Sequence, residues 1–497
     1  MTFDLIIRGG TIVDGTGADG YVADLGVVGD RIHALGDLAA AAARDAIDAA
    51  GLVVAPGIVD IHNHANSQME GGILNIPGAE NEVRQGVTTL ICGNCGGSPW
   101  PIGENLDAAD ALPIRQNYGL LVGMGTIRAH AQVGSKAAGP DDIARMQEMA
   151  ARAMDEGAFG ISTGYFPDFV TTDEIAAVAR PVAEAGGVYA THMRSEAGAL
   201  LESVEETIRI CEESGCPGQI SHIKCWGTRA WENAERVLEM IDEARGRGLD
   251  ITADRYPYVA SFTGVANAIP AALRIQAGER GGIEHLRDPD LTDAVRDGID
   301  DFLVETDGPE HLVFAPLEPM PEIDGKTLAQ VADERGEEPW ETVLELTIRG
   351  KVSCMFFVMR EENIRKFMLH PAVFAASDSH LRVLGKGVSH PRNYGTFPRW
   401  IGHYGRDEGF FTVEEVVRKC TSMPASKFGL HDRGTLAPRK IADIMIFDPD
   451  AIIDTATFED PHQYPEGIPH VIVAGRPAVR DGDAAEGGWG RALRLSR

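Results

Sequence analysis

Residues 57–64 read GIVDIHNH, a run of β-branched residues that ends in two histidines with one residue between them. Val and Ile at this density favour a strand, and alternate side chains of a strand share a face. His62 and His64 therefore lie on one face, about 6.6 Å apart along the strand, close enough to share a metal ion. Seven further stretches have a similar form: TTLICGNC (88–95), GLLVGMGT (119–126), AFGISTGY (158–165), VYATHMR (188–194), PGQISHIK (217–224), DITADRYPY (250–258) and FAASDSH (374–380). Helical patterns separate several of them. Pro140 opens one, with Ile143, Met146, Ala150 and Ala153 on a single face and Gly157 closing it. Thr171 and Glu174 have capping-box spacing before Ile175, Val178 and Val182. Leu201, Val204, Ile208 and Cys211 form the next stripe, ending at Gly215. Eight strands in βα alternation predict an α/β fold of the TIM (β/α)8 barrel type.

Outside residues 56–425 the texture changes. DLIIRGGTIVD, ADLGVVGDRIHALG and GLVVAPG near the start, and IADIMIFDPDAI and HVIVAGRPAVRDG near the end, read as short antiparallel strands with tight turns. Neither end has enough apolar residues for a core of its own. The expectation is one small β-sandwich built from residues 1–55 and 426–497, with the barrel inserted between them. About 115 residues separate the seventh and eighth strands, far more than a usual loop. The charged, helix-rich residues 265–345 are expected to form an inserted subdomain or lid between those strands. The Ala-rich stretch 39–50 predicts a turn or short helix.

The 497-residue chain is 44% hydrophobic and 24% charged, which excludes a disordered or collagen-like protein. No run approaches the ~18 apolar residues of a membrane helix. A formal charge of −30 repels phosphate backbones and anionic lipid, so neither a nucleic-acid nor a membrane partner is expected. Seven cysteines without a repeated spacing suggest reduced thiols, with room for a metal ligand. The start MTFDLIIRGG lacks the basic and apolar regions of a signal peptide, which predicts a cytoplasmic protein.

The decisive pattern is positional. His62 and His64, His192, His222 and Asp378 fall at the C-terminal ends of strands one, five, six and eight, where barrel active sites lie. A single histidine there would be read as structural. Four histidines and an aspartate converging on one mouth predict a metal site.

VAPGIVDIHNH together with these residues resembles the amidohydrolase superfamily, whose barrels hold one or two divalent metals, commonly zinc, beside a small β-sandwich. More narrowly, CGNCG (92–96), ISHIK (220–224), DRYPY (254–258) and HPRNYGTFPR (390–399) resemble the N-acyl-D-amino-acid deacylases, or D-aminoacylases, along essentially the whole chain. That resemblance implies zinc-dependent conversion of an N-acyl-D-amino acid, a small-molecule substrate, to a D-amino acid and a carboxylate by metal-bound hydroxide. It implies that Cys95, His192 and His222 hold the tight zinc. His62, His64 and Asp378 would form a second position, looser or unoccupied, with Cys95 able to bridge. Asp378 would also be the catalytic base.

Lys224 and Arg392, beside this site on so acidic a protein, look like a clamp for the substrate carboxylate. Tyr256, Tyr258 and Ser261 are candidate donors to that carboxylate or to the carbonyl oxygen, with packing at a strand end an equal alternative. Phe356 and Met359 fall in a segment resembling the family's side-chain pocket, with core packing equally open. The residues add an argument of their own. AFGISTGY contains no Lys, so a carboxylated-lysine bridge lacks its residue, and a thiolate is the other anionic bridge open to zinc. The chain departs from the family at Gly97 and at Ser379 and His380, which border the pocket. A cyclic-amide hydrolase of the dihydroorotase or hydantoinase kind, and a non-catalytic scaffold of the same fold, remain alternatives. The oligomeric state is left open.

Overall fold

The computed structural model describes residues 2–67, 72–315, 320–350 and 352–495. Ile58–Asp60, Val87–Cys92 and Asn117–Leu120 form a parallel three-stranded sheet. Val122–Gly123 continues the third strand into a second parallel sheet, through Gly160–Thr163, Val188–Thr191, Gly218–Ile220, Ile251–Arg255 and Val373–Ala375 in that order. The last strand runs on beside the first: the Asp378 N–H donates to the His62 carbonyl and the His64 N–H to the Ser379 carbonyl, both at 2.7 Å.

These strands are short, apolar and buried on both faces, as parallel strands covered by helices must be. The two-residue period of each strand sorts its side chains. Val59, Ile91, Leu121, Phe159, Val188 and Phe374 meet in one cluster. Ile58, Leu90, Leu120 and Ile161 pack instead with helix residues such as Met146, Val178, Val204 and Val237. Helices Pro140–Asp155, Thr172–Glu184 and Leu200–Ser214 stand where the sequence pattern puts them. The capping box at Thr171 is only half made. Thr171 accepts the Glu174 N–H, but the buried Glu174 carboxylate turns to Arg128, a buried cation that could not remain unpaired.

Both ends of the chain enter one nine-stranded sheet. Thr2–Ile12 pairs antiparallel with Tyr21–Val28 and parallel with Ala42–Asp48 and Val53–Pro56. Ile444–Phe447 adds to Val53–Pro56, and His470–Val473 follows. The Ala-rich stretch is thus a strand and not a turn or helix. Pairing from Thr2↔Ala42 to Arg8↔Asp48, with Ile47 buried, overrides the helix preference of alanine. The final residues also differ from expectation. They leave the terminal sheet, and Arg491 and Leu493 pair with Tyr118, and Leu495 with Gly157, because Leu493 and Leu495 pack onto the cluster around Val59 and Phe159.

The long insertion has a core of its own, from Val265, Ile299, Leu312 and Phe314 to Val343 and Phe356. Its antiparallel sheet joins Ser261–Gly264, Leu312–Phe314 and Ser353–Phe356, so it draws in strands on either side of 265–345. Among the described residues no helix is long and apolar enough to cross a membrane.

Candidate metal centre

Three strand ends turn through left-handed backbone at Cys95 (φ 54°), His222 (φ 36°) and Asp378 (φ 51°). Such a conformation costs a residue with a Cβ roughly 1–3 kcal/mol and persists where the surroundings enforce it. Around Cys95 the enforcement is visible. Gly93 has φ 81°, and a Cβ there would lie 2.2 Å from the Leu121 carbonyl oxygen. Ser162, from the fourth strand, donates its hydroxyl to the Gly93 carbonyl (2.5 Å) and accepts the Gly96 N–H (3.1 Å). Gly164 lets the next backbone approach, since a Cβ there would sit 2.3 Å from the Cys95 oxygen. Gly164→Ala should therefore displace the Cys95 turn and lower bound metal several-fold while the far-ultraviolet circular dichroism is kept. Undiminished metal in that variant would show that Cys95 needs no such seat.

The turn sets Cys95 Sγ among four imidazoles. It lies 3.5 Å from His62 Nε2, 3.6 Å from His192 Nδ1, 3.7 Å from His222 Nε2 and 4.0 Å from His64 Nε2. In a tetrahedral zinc-type site, with metal–sulfur about 2.3 Å and metal–nitrogen about 2.0–2.1 Å, sulfur and nitrogen ligands stand about 3.6 Å apart. The three closest distances match that edge, so the residues fit a metal. His62, His64 and Asp378 form an adjoining group: Asp378 Oδ1 is 3.1 Å from His64 Nε2 and 3.5 Å from His62 Nε2.

The electrostatics agree. Burial alone would raise the Cys95 thiol, but the charge of His62 and hydrogen bonds from His192, His222 and His62 hold it well below the usual thiol range. Asp378 behaves likewise: burial works against its charge, and Arg392, His64 and the neighbouring imidazoles keep it well below the ordinary carboxylate range. His64 is pushed up to about 9; burial opposes its charge, and hydrogen bonds to Asp378 and Cys95 more than compensate.

Two buried acids, not foreseen from the sequence, stand beside the candidate ligands His222 and His62. For His222 to present Nε2 to a metal, Nδ1 must carry the proton; Glu196 Oε1 lies 2.8 Å from Nδ1 as its acceptor, with Lys224 Nζ also 2.7 Å away. Asp254 receives the His222 backbone N–H at 2.7 Å and lies 3.3 Å from His62 Nδ1. Glu196 also grips Lys224 Nζ at 2.5 Å. Its carboxyl sits well below the usual range because Lys224, His222 and His192 outweigh its burial. Tyr165, also missed, lays its ring 3.9 Å from that of His192, and His380 stacks on His64 at 4.8 Å.

A cavity of about 540 Å³ opens over this centre. Lys224, Arg392, Tyr256 and Ser261 line it, as do Trp226, Phe302 and Phe356. Arg392 is nearly fully buried and donates to Asp378 Oδ2 at 2.7 Å. Both predicted clamp cations thus face the cavity while paired to acids of the site. Tyr258 and Met359 are not among the lining residues. The Tyr258 hydroxyl donates to Asp454 at 3.2 Å beside Arg399, and the Met359 sulfur is taken by Arg255 at 3.1 Å. The strand ends at Arg255, before both tyrosines, and the Tyr258 ring packs against His390 and Phe458.

The amidohydrolase family matches residues 45–479. A D-aminoacylase of Alcaligenes xylosoxydans xylosoxydans is 36% identical over 96% of this chain and 95% of its own length. An N-acyl-D-glutamate deacylase of the same organism is 33% identical over 95% of this chain and 93% of its own. Among solved structures, a D-aminoacylase with a binuclear metal centre superposes with a TM-score of 0.84 at 34% identity, covering 99% of this chain and all (100%) of that one. An N-acyl-D-glutamate deacylase from Bordetella bronchiseptica, complexed with zinc and a phosphonate mimic of the tetrahedral intermediate, gives 0.85 at 30% identity, covering 100% of each chain. The chain belongs to the amidohydrolase family and, within it, to the D-aminoacylase group.

Proposed function

We propose that this protein is a zinc-dependent hydrolase of linear amides that converts an N-acyl-D-amino acid and water to a D-amino acid and a carboxylate. The observation that carries this reading is the Cys95 thiolate set among four imidazoles under a cavity that holds two buried cations. The D configuration rests on the relatives named above. In this reading the eight parallel strands are one closed TIM barrel within residues 56–425. The two chain ends make a small β domain, and the insertion between strands seven and eight is its lid.

Cys95, His192 and His222 would hold the tight zinc, and His62, His64 and Asp378 a second, weaker position. Zinc bound there would bring the pKa of a coordinated water towards ~7 and polarise the scissile carbonyl. Asp378, kept ionised by Arg392, takes the proton of the attacking water on Oδ1 and returns it to the leaving nitrogen. Lys224 and Arg392 attract the substrate carboxylate, helped by the Tyr256 and Ser261 hydroxyls, and Trp226, Phe302 and Phe356 receive its side chain. Glu196 and Asp254 keep the imidazoles in their ligating tautomers.

Arg392→Met tests the clamp. It should raise the KM for N-acyl amino acids, with ~2–4 kcal/mol of binding lost. Arg392 also depresses the Asp378 pKa, so without it Asp378 protonates at higher pH. The ionised form is the active base, and the acid limb of the kcat/KM profile should therefore move up. An unchanged KM in folded protein sinks the assignment.

The function itself is tested by zinc analysis alongside an amine-release screen of N-acetyl-D- and N-acetyl-L-amino acids. Release from D substrates by zinc-loaded protein supports it. Ring opening of a hydantoin or dihydroorotate without linear-amide turnover would replace it with the cyclic-amide reading. Against that alternative, the fourth strand supplies Ser162 to the Cys95 turn and no lysine to the metal.

A further inference from the structure

A second cavity, of about 530 Å³, adjoins the metal centre on its other side. The two cavities share only His64, Cys95 and His380 among their described lining residues. The first contains Lys224 and Arg392; among the described residues no Lys or Arg lines the second. For an amide bond set over the proposed metal ligands, with its carboxylate drawn to the cations, the second cavity offers room on the opposite side for the acyl group.

That cavity is larger than an acetyl group requires, and its described lining offers no Lys or Arg to a charged occupant. Two of its polar groups are spent inside the protein: the Asn94 amide donates to the Ile61 and Ile91 carbonyls (3.3 and 3.1 Å), and the Ser98 hydroxyl to the Pro99 carbonyl (3.0 Å). Pro99 and Trp100 supply an apolar wall. Gly97 lies in the lining, and a Cβ placed on it meets no heavy atom within 4 Å. Its backbone is not left-handed, so a side chain is sterically and conformationally allowed there. A side chain at 97 would start from this exposed edge of the lining.

We infer that the second cavity is the acyl subsite, that it accepts bulky uncharged acyl groups of the arylacetyl size, and that Gly97 sets this range. The inference rests on the deacylase reading. The test compares kcat/KM for the N-acetyl and N-phenylacetyl derivatives of one D-amino acid, using zinc-loaded native protein and Gly97→Leu. The native protein should cleave the phenylacetyl compound within about tenfold of the acetyl one. Gly97→Leu should lower the phenylacetyl-to-acetyl ratio about tenfold or more, the discrimination a filled apolar pocket gives. Should the Leu variant fail to fold, Gly97→Ala should lower the ratio by a smaller step. In the native protein, phenylacetate should inhibit more strongly than acetate. Cleavage of the acetyl compound with phenylacetyl rejected, a ratio unmoved by either substitution, or equal inhibition by both acids would overturn the inference alone. Failure to release amine from any N-acyl-D-amino acid would overturn the deacylase reading and this inference with it.

Discussion

Cys95→Ala should purify with little zinc and show at most a trace of native amine release. The side chain removed lies within 3.7 Å of a nitrogen of His62, His192 and His222, and its thiolate is the anion those three share. Thiolate and metal stabilise each other, so loss of one loosens the other. Cys92→Ala is the contrasting variant and should keep its metal. Cys92 is buried, its thiol is pushed up by that burial, and it points to Asn63 Oδ1 at 2.7 Å. Thiol reagents should label Cys95 slowly in the zinc-loaded protein and quickly after chelation. Bicarbonate during reconstitution should change nothing, since no lysine carbamate has to form. A Cys95→Ala protein with full zinc and native turnover would overturn the assignment.

Asp378→Asn should lower turnover by ~10²–10⁴ or more, because the amide keeps the shape and loses the basicity. It also leaves Arg392, nearly fully buried, without its anionic partner, a change worth about 3–5 kcal/mol when a buried pair is broken. The melting temperature should therefore fall with the rate, and turnover should be measured well below it. Near-native turnover would move the base elsewhere. His380 is the first candidate, since burial and the charge of His64 hold it well below the usual imidazole range and so neutral.

The residues proposed as metal ligands could be picked out because each sits at the end of a short apolar strand, and strand alternation is a local pattern. His62, His64, His192, His222 and Asp378 could be found that way, and Cys95 by its GNCG turn. Glu196 and Asp254 could not, since an acid four residues past a histidine, or next to an arginine, has no distinctive spacing. Their roles come from burial against residues far along the chain. Tyr258 and Met359 show the opposite failure. They have plausible positions, but the Asp454 carboxylate and the Arg255 guanidinium hold them away from the cavity. The Ala-rich strand at Ala42–Asp48 was hidden because its partner lies at the other end of the terminal segment, and pairing rather than propensity decides it.

Val53–Pro56 leads straight into the strand that carries His62, and its outer edge is filled by Ile444–Phe447. The Asp443 carbonyl receives the Gly57 N–H, and its carboxylate receives the Asn117 amide. On the ribosome, at ~5–20 residues per second, the early edge must wait roughly 20–80 s for that partner to be made. Asp378 also emerges late, after Cys95, His192 and His222, so the candidate site as a whole is complete only then. Over that interval an unpaired apolar edge is exposed to other nascent chains. Slower growth at lower temperature, or more abundant chaperones, should therefore raise the yield of folded protein.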